Sequence, residues 1–557
     1  MKLDREQLKT KIEAHLLSYV ALRSDTGTIH ERNIEKFYTK WFNDVPYFKE
    51  NPDHCGIFPI PNDKFERHVP WALLKGKGLQ GESQDTIVLL HHSDTVDRAD
   101  YLTISDLALN PTALEEAFKA GKLALPQDAK ADLDSGEWLF GRGVNDMKGG
   151  AAIHIAMLEE YTKIRNFKGN LLLLAVPDEE NLSAGAIGAA HLLCELADKH
   201  NLNYKLCLMG EPDTTEGSFH DGSIGKIMPL IHVRGQLAHV GKVYDGLSPV
   251  KILAKIIDEL ELNPNFIESD GQITTPPPAF LYARDQKDVY DVSLPATASG
   301  FISIFCFIRT PRELMELVKT ICEEAMADSI ASFERSYAKF AEIQNIGNDN
   351  PSYNRSYKTN VKLYSELYDE AVRDSGQRFL SEIEKTKSEI AEKVKASELT
   401  YTQGTQAIID RTLDFVADRS PIVVITLIPP YYPCVANEKL LGKNNEIDAL
   451  CDDLINYAKE TDAHNFQRNL ANYMCDFSYM MQTDDKQTND YIQSNMLMWG
   501  ENYQIPFEKI RKNSMPLLNI GPRGRGVHQY TERVLKSDLY YRIPRYVEFV
   551  IERVLGK

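Results

Sequence analysis

The stretch 170-NLLLLAVPDEENLSAGAIGAAHLLCELADKHNLNYKLCLMGE-211 indicates the fold class of this chain. An apolar run ends at Pro177, a segment rich in small residues with helical spacing follows, and a second apolar run ends just before Glu211. Apolar strands that alternate with helices are typical of a parallel sheet covered by helices on both faces. The alternation also extends upstream, to an apolar strand at 85–92 and a helix at about 148–165. We therefore predict an α/β domain built on a mostly parallel sheet.

The pattern changes after Glu211 and predicts a smaller α+β domain inserted into the first one. The expected elements are a strand at 226–240, a helix at 248–262, two strands within 289–309, a helix at 311–325 and a strand at 421–427. A polar tract at about 330–418 has acidic and basic residues at helical spacing, which predicts long exposed helices with a solvated charged face. The predicted domains are 1–217 with 433–557 for the α/β domain, and 218–432 for the insertion.

Composition excludes several classes of protein. The 557 residues include 43% hydrophobic and 26% charged residues, as in ordinary soluble globular proteins. The formal net charge of -18 would repel a nucleic-acid backbone. The charged N-terminal segment lacks the apolar core of a signal peptide, and no apolar run approaches the ~18–20 residues that cross a bilayer. We expect a cytoplasmic protein that binds neither nucleic acid nor membrane.

Two further motifs favour ordinary structural interpretations. The eight cysteines contain no CxxC pair, so we predict buried free thiols rather than a thiolate metal site. The stretch 76-GKGLQG-81 matches the dinucleotide-binding pattern GxGxxG, but it leads into a strand and not into a helix. A hairpin loop is therefore the favoured interpretation of this stretch.

Histidine and acidic side chains follow several of the predicted strands. His92, Glu180, Glu211 and His528 come after strands, and Asp146 lies in a glycine-rich turn that leads into a helix. The carboxyl ends of strands in an open α/β sheet meet at one edge, where ligands bind. Each residue alone is more simply a helix cap or a turn residue. Together they form a nitrogen and oxygen ligand set suited to zinc, cobalt or manganese.

Spacing within these clusters suggests separate roles. On an extended segment His92 and Asp94 point the same way, so Asp94 could accept the ring N–H of His92 and fix its tautomer. The adjacent Glu179 and Glu180 point to opposite sides of an extended backbone. One of them could bind metal while the other acts as a general base, which is the division that a metal-assisted hydrolase requires.

Five motifs in order resemble the signature of the co-catalytic zinc aminoacylase and carboxypeptidase family. They are HSDTV (92–96), GRGVNDMKGG (141–150), PDEENLSAGA (177–186), GEP (210–212) and GPRGRGVH (521–528). The family includes acetylornithine deacetylase, succinyl-diaminopimelate desuccinylase and glutamate carboxypeptidase, which cleave amide bonds. The stretches CDFSY (475–479), WGENYQIP (499–506) and NIGPRGRGVHQYTERV (519–534) most resemble the bacterial arginine-utilisation branch of the family.

The resemblance implies a role for each residue of the set. Asp146 would bridge two divalent cations, His92 and Glu211 would complete one site, and Glu180 and His528 would complete the other. Glu179 would be the general base for a metal-bridging hydroxide that attacks the amide carbonyl. The inserted domain would be a lid, through which a homodimer could form.

The lid's entry motif is present as IHVRGQLAHVG (231–241), so His239 matches the histidine that polarises the scissile carbonyl. A surface histidine at a strand end is the simpler alternative. The usual Asn before Ile-Pro is replaced near Val292, and the usual Asp-Ile-Arg is FIR at 307–309. Arg309 could still bind a substrate carboxylate, as could Arg523 and Arg525, although loop arginines are commonly just solvated.

Three functions are compatible with this set of residues. The favoured one is hydrolysis of an amide bond in a small N-acyl amino acid, dipeptide or arginine-related metabolite. The second is a catalytically silent binding or regulatory protein on the same fold. The third is a two-metal phosphoesterase, which the ligands alone allow but the resemblance disfavours. No GxSxG nucleophile motif is present in the sequence.

Overall fold

A computed structural model of the protein describes residues 3–78, 81–213, 217–345 and 356–556. The chain forms two compact units. The first comprises 1–223, 433–483 and 505–557, and the second comprises 224–432 and 484–504. Residues 79–80 of the predicted hairpin loop and 346–355 of the predicted insertion lie outside the described residues.

The first unit contains a nine-stranded mixed sheet. In spatial order its strands are Cys55–Pro59, His68–Lys75, Asn170–Val176, Asp85–His92, Asn203–Met209, Leu517–Asn519, Ser218–Ser223 and Val435–Ala436, with Gln467–Ala471 also paired to Ser218–Ser223. The four strands from Asn170–Val176 to Leu517–Asn519 run parallel to one another. The α/β class with a mostly parallel centre is therefore confirmed, and antiparallel strands lie towards both edges.

Helices surround this sheet because its central strands are apolar and buried along most of their length. The helices of the first unit are Arg5–Val20, Asn33–Asp44, Pro46–Glu50, Pro111–Lys119, Gln127–Ser135, Lys148–Tyr161, Ala184–His200, Asn437–Leu441, Glu446–Asp462, Phe507–Lys512 and Ile543–Leu555. Shorter strands are Lys77–Gly78 paired with Gly81–Glu82, and Trp138–Phe140, Gly524–Arg525 and Arg533–Leu535 in a small separate sheet.

The second unit contains a six-stranded sheet with helices packed on it. In spatial order the strands are Gly225–Ile227, Thr297–Cys306, Pro229–Arg234, Ile422–Leu427 and Val361–Leu363, and Ala279–Asp285 also pairs with Thr297–Cys306. Its helices are Pro249–Leu260, Pro311–Gln344, Tyr364–Lys395, Tyr401–Leu413 and Lys486–Asn495.

Several predicted boundaries in this region were wrong. A single strand, Thr297–Cys306, stands where two were expected within 289–309. Pro295, which lacks an amide hydrogen for strand pairing, precedes it. The strand expected at 226–240 ends at Arg234, and the helix expected at 311–325 continues to Gln344. The segment 484–504, assigned from sequence to the α/β domain, packs with the second unit instead.

The predicted helical insertion is not simply a set of solvated helices. Phe379, Ile383 and Ile390 are buried in one hydrophobic cluster with Leu230 and Val424 of the sheet. The exposed charges lie on the other side of these helices, as in the i,i+4 pair Lys385–Glu389. The insertion therefore belongs to the core of the second unit. Across the described residues, no helix is both long and apolar enough to span a membrane.

One residue in the first unit's core predicts acid sensitivity. His154 is 1% exposed, and among the described residues neither ring nitrogen has a hydrogen-bond partner. Burial lowers the pKa of His154 from 6.5 to about 3. Between pH 6.5 and about 3, His154 is protonated in the unfolded chain but not in the folded chain. The stability of the folded state therefore falls as the pH falls below 6.5.

We expect His154→Leu to be more stable than the parent protein, with an advantage that grows by up to about 1.4 kcal/mol per pH unit below pH ~6.5. Urea unfolding at pH 7.5, 6 and 5 measures this difference. His239→Gln, at an exposed histidine, is the control and should leave the pH dependence unchanged. Equal pH slopes for His154→Leu and the parent would contradict the prediction.

Candidate metal centre

Neighbouring parallel strands bring the predicted ligands to one edge of the first unit's sheet. His92 is the last residue of strand Asp85–His92, and Glu211 follows the end of strand Asn203–Met209 by two residues. Glu180 comes four residues after the strand that ends at Val176. These side chains lie at carboxyl ends of adjacent strands, as the open-sheet rule predicts.

Asp146 reaches the same edge from the loop before helix Lys148–Tyr161. The first turn of this helix lies close to the strand end before Glu211, since a Cβ on Gly150 would lie 2.1 Å from the carbonyl oxygen of Gly210. Glycine at 150 therefore permits a backbone approach that a larger residue would block.

The carboxylate of Asp146 lies between two histidines. Its Oδ1 is 3.0 Å from Nε2 of His92, and its Oδ2 is 3.2 Å from Nε2 of His528. Glu211 Oε1 lies 3.5 Å from Nε2 of His92, and Glu180 Oε2 lies 2.9 Å from Nε2 of His528. The five side chains thus form two half-sites that share one carboxylate.

The charges of this cluster fit divalent cations. Glu179 and Glu211 are buried beside the partly buried Asp146 and Glu180. Burial raises the pKa of both Glu179 and Glu211 well above the usual range. Burial also raises the pKa of Glu180 to about 7. Within the described residues, Oε1 of Glu211 has no hydrogen-bond partner. Ligand atoms of His92, Asp146 and Glu180 all lie within 4.8 Å of one another, so this set could hold a metal ion.

Asp94 connects His92 to the turn that carries Glu179 and Glu180. Nδ1 of His92 is 3.2 Å from the backbone oxygen of Asp94 and 3.6 Å from its carboxylate. The carboxylate accepts the backbone N–H groups of Glu179 and Glu180, each at 3.2 Å. Asp94 therefore lies where it can orient both the histidine and the two glutamates.

Sequence reasoning missed a buried ion cluster beside this turn. Nη1 of Arg67 is 2.5 Å from Asp178 and 2.7 Å from Glu31, and Nη2 is 2.6 Å from Asp63. Asp178 has a left-handed backbone with φ of 72°, and its carboxylate accepts the N–H of Ala184 at 3.2 Å. The Arg67 cluster thus fixes the residue directly before Glu179. No local motif marks Arg67.

Glu532 is a second residue that sequence reasoning missed. Its Oε1 accepts the backbone N–H groups of Asn145 and Asp146 at 3.1 and 3.2 Å. Its Oε2 accepts Nη1 of the buried Arg142 at 2.9 Å. Glu532 follows His528 by four residues in the quoted motif GRGVHQYTERV, so it links the loops of Asp146 and His528. The position of Glu532 in that motif was the sequence signal that could have identified it.

The quoted motif CDFSY also contains a residue that was missed. Asp476 is fully buried in the first unit, and burial raises its pKa to about 7. The negative charges of Asp94 and Asp178 act in the same direction, whereas His92 lowers this pKa. Asp476 therefore adds to the excess of acidic groups around the cluster.

The predicted loop arginines pack on an indole ring. The guanidinium carbons of Arg523 and Arg525 lie 5.9 and 5.0 Å from the ring centroid of Trp138. Nη1 of Arg525 also donates to Asp132 at 3.0 Å. Their role as substrate ligands stays a prediction.

His239 and Arg309 belong to the second unit. Nε of Arg309 donates to Glu268 at 2.9 Å, and Nη1 donates to the carbonyl of Asn265 at 2.9 Å. These bonds give Arg309 a structural role within its own unit. His239 is exposed and caps the 3₁₀ turn Val240–Asp245. The catalytic role of His239 and the substrate-binding role of Arg309 stay predictions.

Comparison with known protein families agrees with this geometry. The model of peptidase family M20/M25/M40 matches residues 124–552. The chain belongs to this family. The resemblance inferred from the five sequence motifs is thereby confirmed.

Two relatives of this M20 protein match nearly its whole length, and a third matches a shorter part. It is 30% identical to the uncharacterized protein YqjN of Bacillus subtilis, over 99% of this chain and 97% of the relative. It is 29% identical to protein RocB of the same organism, over 97% of this chain and 94% of RocB. Succinyl-diaminopimelate desuccinylase of Zymomonas mobilis is 33% identical over a shorter stretch, which covers 22% of this chain and 32% of the desuccinylase.

Solved structures share the fold of this M20 protein. A tripeptidase from Staphylococcus aureus aligns over 99% of both chains with a TM-score of 0.53 and 11% identity. An M20 family metallo-carboxypeptidase from Sulfolobus solfataricus aligns over 98% of this chain and 99% of its own, also with a TM-score of 0.53 and 11% identity.

Proposed function

We propose that this M20-family protein hydrolyses an amide bond in a small N-acyl amino acid, dipeptide or arginine-related metabolite, with two divalent cations as cofactors. The observation that carries the proposal is the placement of Asp146, whose two carboxylate oxygens face His92 and His528 separately. A carboxylate that faces two imidazoles from its two oxygens can bind two cations at once.

Each half-site has its own ligands. His92 and Glu211 would hold one cation, Glu180 and His528 the other, and Asp146 would bind both. Zinc suits this nitrogen and oxygen set, and cobalt or manganese could replace it. When bound, the cations supply a Lewis acid that polarises the substrate carbonyl and makes water more acidic.

Glu179 is the general base in this proposal. Its neighbour Glu180 faces His528, whereas Glu179 belongs to none of the four histidine–carboxylate pairs described above for the cluster. The Glu179 carboxylate takes the proton of the attacking water and returns it to the nitrogen of the departing amine. Asp94 keeps Glu179 in position through the backbone N–H of that residue.

Recognition of the substrate is assigned to basic side chains. We propose His239 as the donor to the carbonyl oxygen, where negative charge develops in the transition state. Arg309, Arg523 and Arg525 are the candidates for a substrate carboxylate. Single alanine variants that raise KM without lowering kcat would identify the contributing arginine.

Removal of metal is expected to abolish turnover. Chelator-treated protein should lose amide hydrolysis to background on a panel of N-acyl amino acids and dipeptides, and added zinc, cobalt or manganese should restore it. Asp146→Asn should fail to recover, because the shared ligand is weakened. Asp128→Asn, at an exposed carboxylate on the same unit, is the matched control and should recover fully.

The two rival functions give different results in the same experiment. A silent binding protein would bind both cations without cleaving any member of a broad panel. A two-metal phosphoesterase would instead release phosphate from aryl phosphates. Either result would contradict the proposed amide hydrolysis.

Two further proposals concern the protein's location and assembly. All eight cysteines lie among the described residues and none of them forms a disulfide, which supports a reducing, cytoplasmic compartment. A homodimer formed through the second unit is supported by the exposed Val289 and Tyr290, at 78% and 86%. Light scattering at micromolar concentration measures the mass, and a monomer would contradict the dimer.

A further inference from the structure

The turn that follows His239 packs against the helical insertion, and from this contact we infer that Tyr244 and the insertion position His239 for the reaction. The inference rests on the proposed function, because it gives His239 a partner in positioning rather than a new reaction. Tyr244 is a positioning residue here, since it acts through His239.

Backbone hydrogen bonds hold the first part of the turn. The N–H of Val240 donates to the carbonyl of Val292 at 2.7 Å, and the N–H of Leu294 donates to that of Ala238 at 2.9 Å. These bonds pair the His239 segment with the stretch DVSLPATA, where the sequence departs from the family pattern. They fix the backbone of His239 but leave its ring free to rotate.

A third hydrogen bond orients the ring. Nδ1 of His239 accepts the backbone N–H of Gly241 at 3.0 Å. A nitrogen that accepts carries no proton, so the neutral ring carries its proton on Nε2. Nε2 is therefore presented as the donor that a developing negative charge on a carbonyl oxygen requires.

The orientation of Gly241 depends on the rest of the turn Val240–Asp245, whose apolar side chains are partly in solvent. Val240 and Val243 are 57% and 41% exposed, and Lys242 departs from helical geometry. A short turn with these features needs an anchor at its far end to keep the Gly241 N–H in place.

Tyr244 provides that anchor. Its ring centroid lies 5.7 Å from Phe333, 5.5 Å from Tyr337 and 4.9 Å from Phe340. Its hydroxyl lies 2.9 Å from Oγ of Ser336 and can donate to the carbonyl of that residue at 3.2 Å. These partners all lie in the last turns of helix Pro311–Gln344, beyond the end at residue 325 that the sequence predicted.

Two measurements on the full-length, metal-loaded protein test the inference. Hydrogen exchange followed by mass spectrometry reads the amides of 236–246 without any substrate. Steady-state kinetics compares Tyr244→Ala, His239→Ala and the double variant. Tyr244→Phe retains the ring contacts and removes the hydroxyl. Lys385→Ala removes a side chain that is 68% exposed in the same unit.

We expect Tyr244→Ala to exchange faster across 236–246 and to lower kcat by about tenfold or more, since small misplacements of catalytic groups have large effects. The double variant should be no slower than His239→Ala, because both changes remove the same donor. Tyr244→Phe should restore most of kcat, and Lys385→Ala should match the parent protein in exchange and kcat.

Unchanged exchange in Tyr244→Ala would overturn the inference, as would a loss of kcat that adds fully to that of His239→Ala. If the parent protein hydrolyses no amide, the proposed function fails. The exchange measurement then decides separately whether the insertion orders the His239 turn, with faster exchange in support and unchanged exchange against.

Discussion

Glu179→Gln is expected to lower kcat for amide hydrolysis by about 10²–10⁴-fold while the protein still binds two cations, since this range is typical of a lost general base. Glutamine has nearly the size of glutamate and keeps the backbone N–H that bonds to Asp94, but its amide cannot accept a proton from water. Turnover of the best panel substrate and metal content by elemental analysis measure the two effects separately.

The neighbouring residue provides the matched control. Glu180→Gln changes a carboxylate that lies 2.9 Å from Nε2 of His528, so it should lose metal as well as turnover. Near-normal turnover in Glu179→Gln would show that another group is the base. Loss of metal from Glu179→Gln would instead make Glu179 a ligand.

Arg67→Met is expected to lower the free energy of unfolding by about 3–5 kcal/mol, because removal of one partner leaves buried charges uncompensated. Asp178, Glu31 and Asp63 surround the guanidinium, and each of these three side chains is at most 3% exposed. Urea unfolding of the parent and the variant measures the difference. Turnover should fall as well, because Asp178 precedes Glu179.

Arg32→Met is the control for that loss. The side chain of Arg32 is 36% exposed, and its contacts with Glu35 and Glu66 are 3.5 and 3.6 Å long. Its removal should change stability by less than about 1 kcal/mol, as is typical of surface ion pairs. If Arg67→Met were equally mild, the cluster would not contribute to the stability or to the geometry of the turn.

The amino-acid sequence by itself determined the fold class and the predicted ligand set. The strands Asn170–Val176 and Asn203–Met209 lie in the two apolar runs that predicted the sheet, because a buried strand has a uniform local pattern. The strand-end rule then grouped His92 and Glu211 at one edge, where the structure also places them, together with Asp146 from the turn before a helix. The M20 family was identified from motifs that are contiguous in the chain.

The second unit was predicted less accurately because its elements depend on distant partners. Helix Pro311–Gln344 extends beyond its predicted end at residue 325, and Phe333 and Phe340 in the added part pack against Tyr244. The segment 484–504 joins the second unit through contacts such as the bond from Thr426 to the carbonyl of Asn495 at 2.7 Å. Neither contact has a local signal in the sequence.

The tertiary structure alone decided which charged residues support the site. Arg67 meets Asp178 across 111 positions of the chain, and Glu532 meets the backbone of Asp146 across 386. Local periodicity in the sequence indicates whether a residue is buried and whether it lies in a helix or a strand. It does not indicate which distant residue contacts it. That choice depends on the packing of whole elements, because a buried charge is stable only where a partner from another element reaches it.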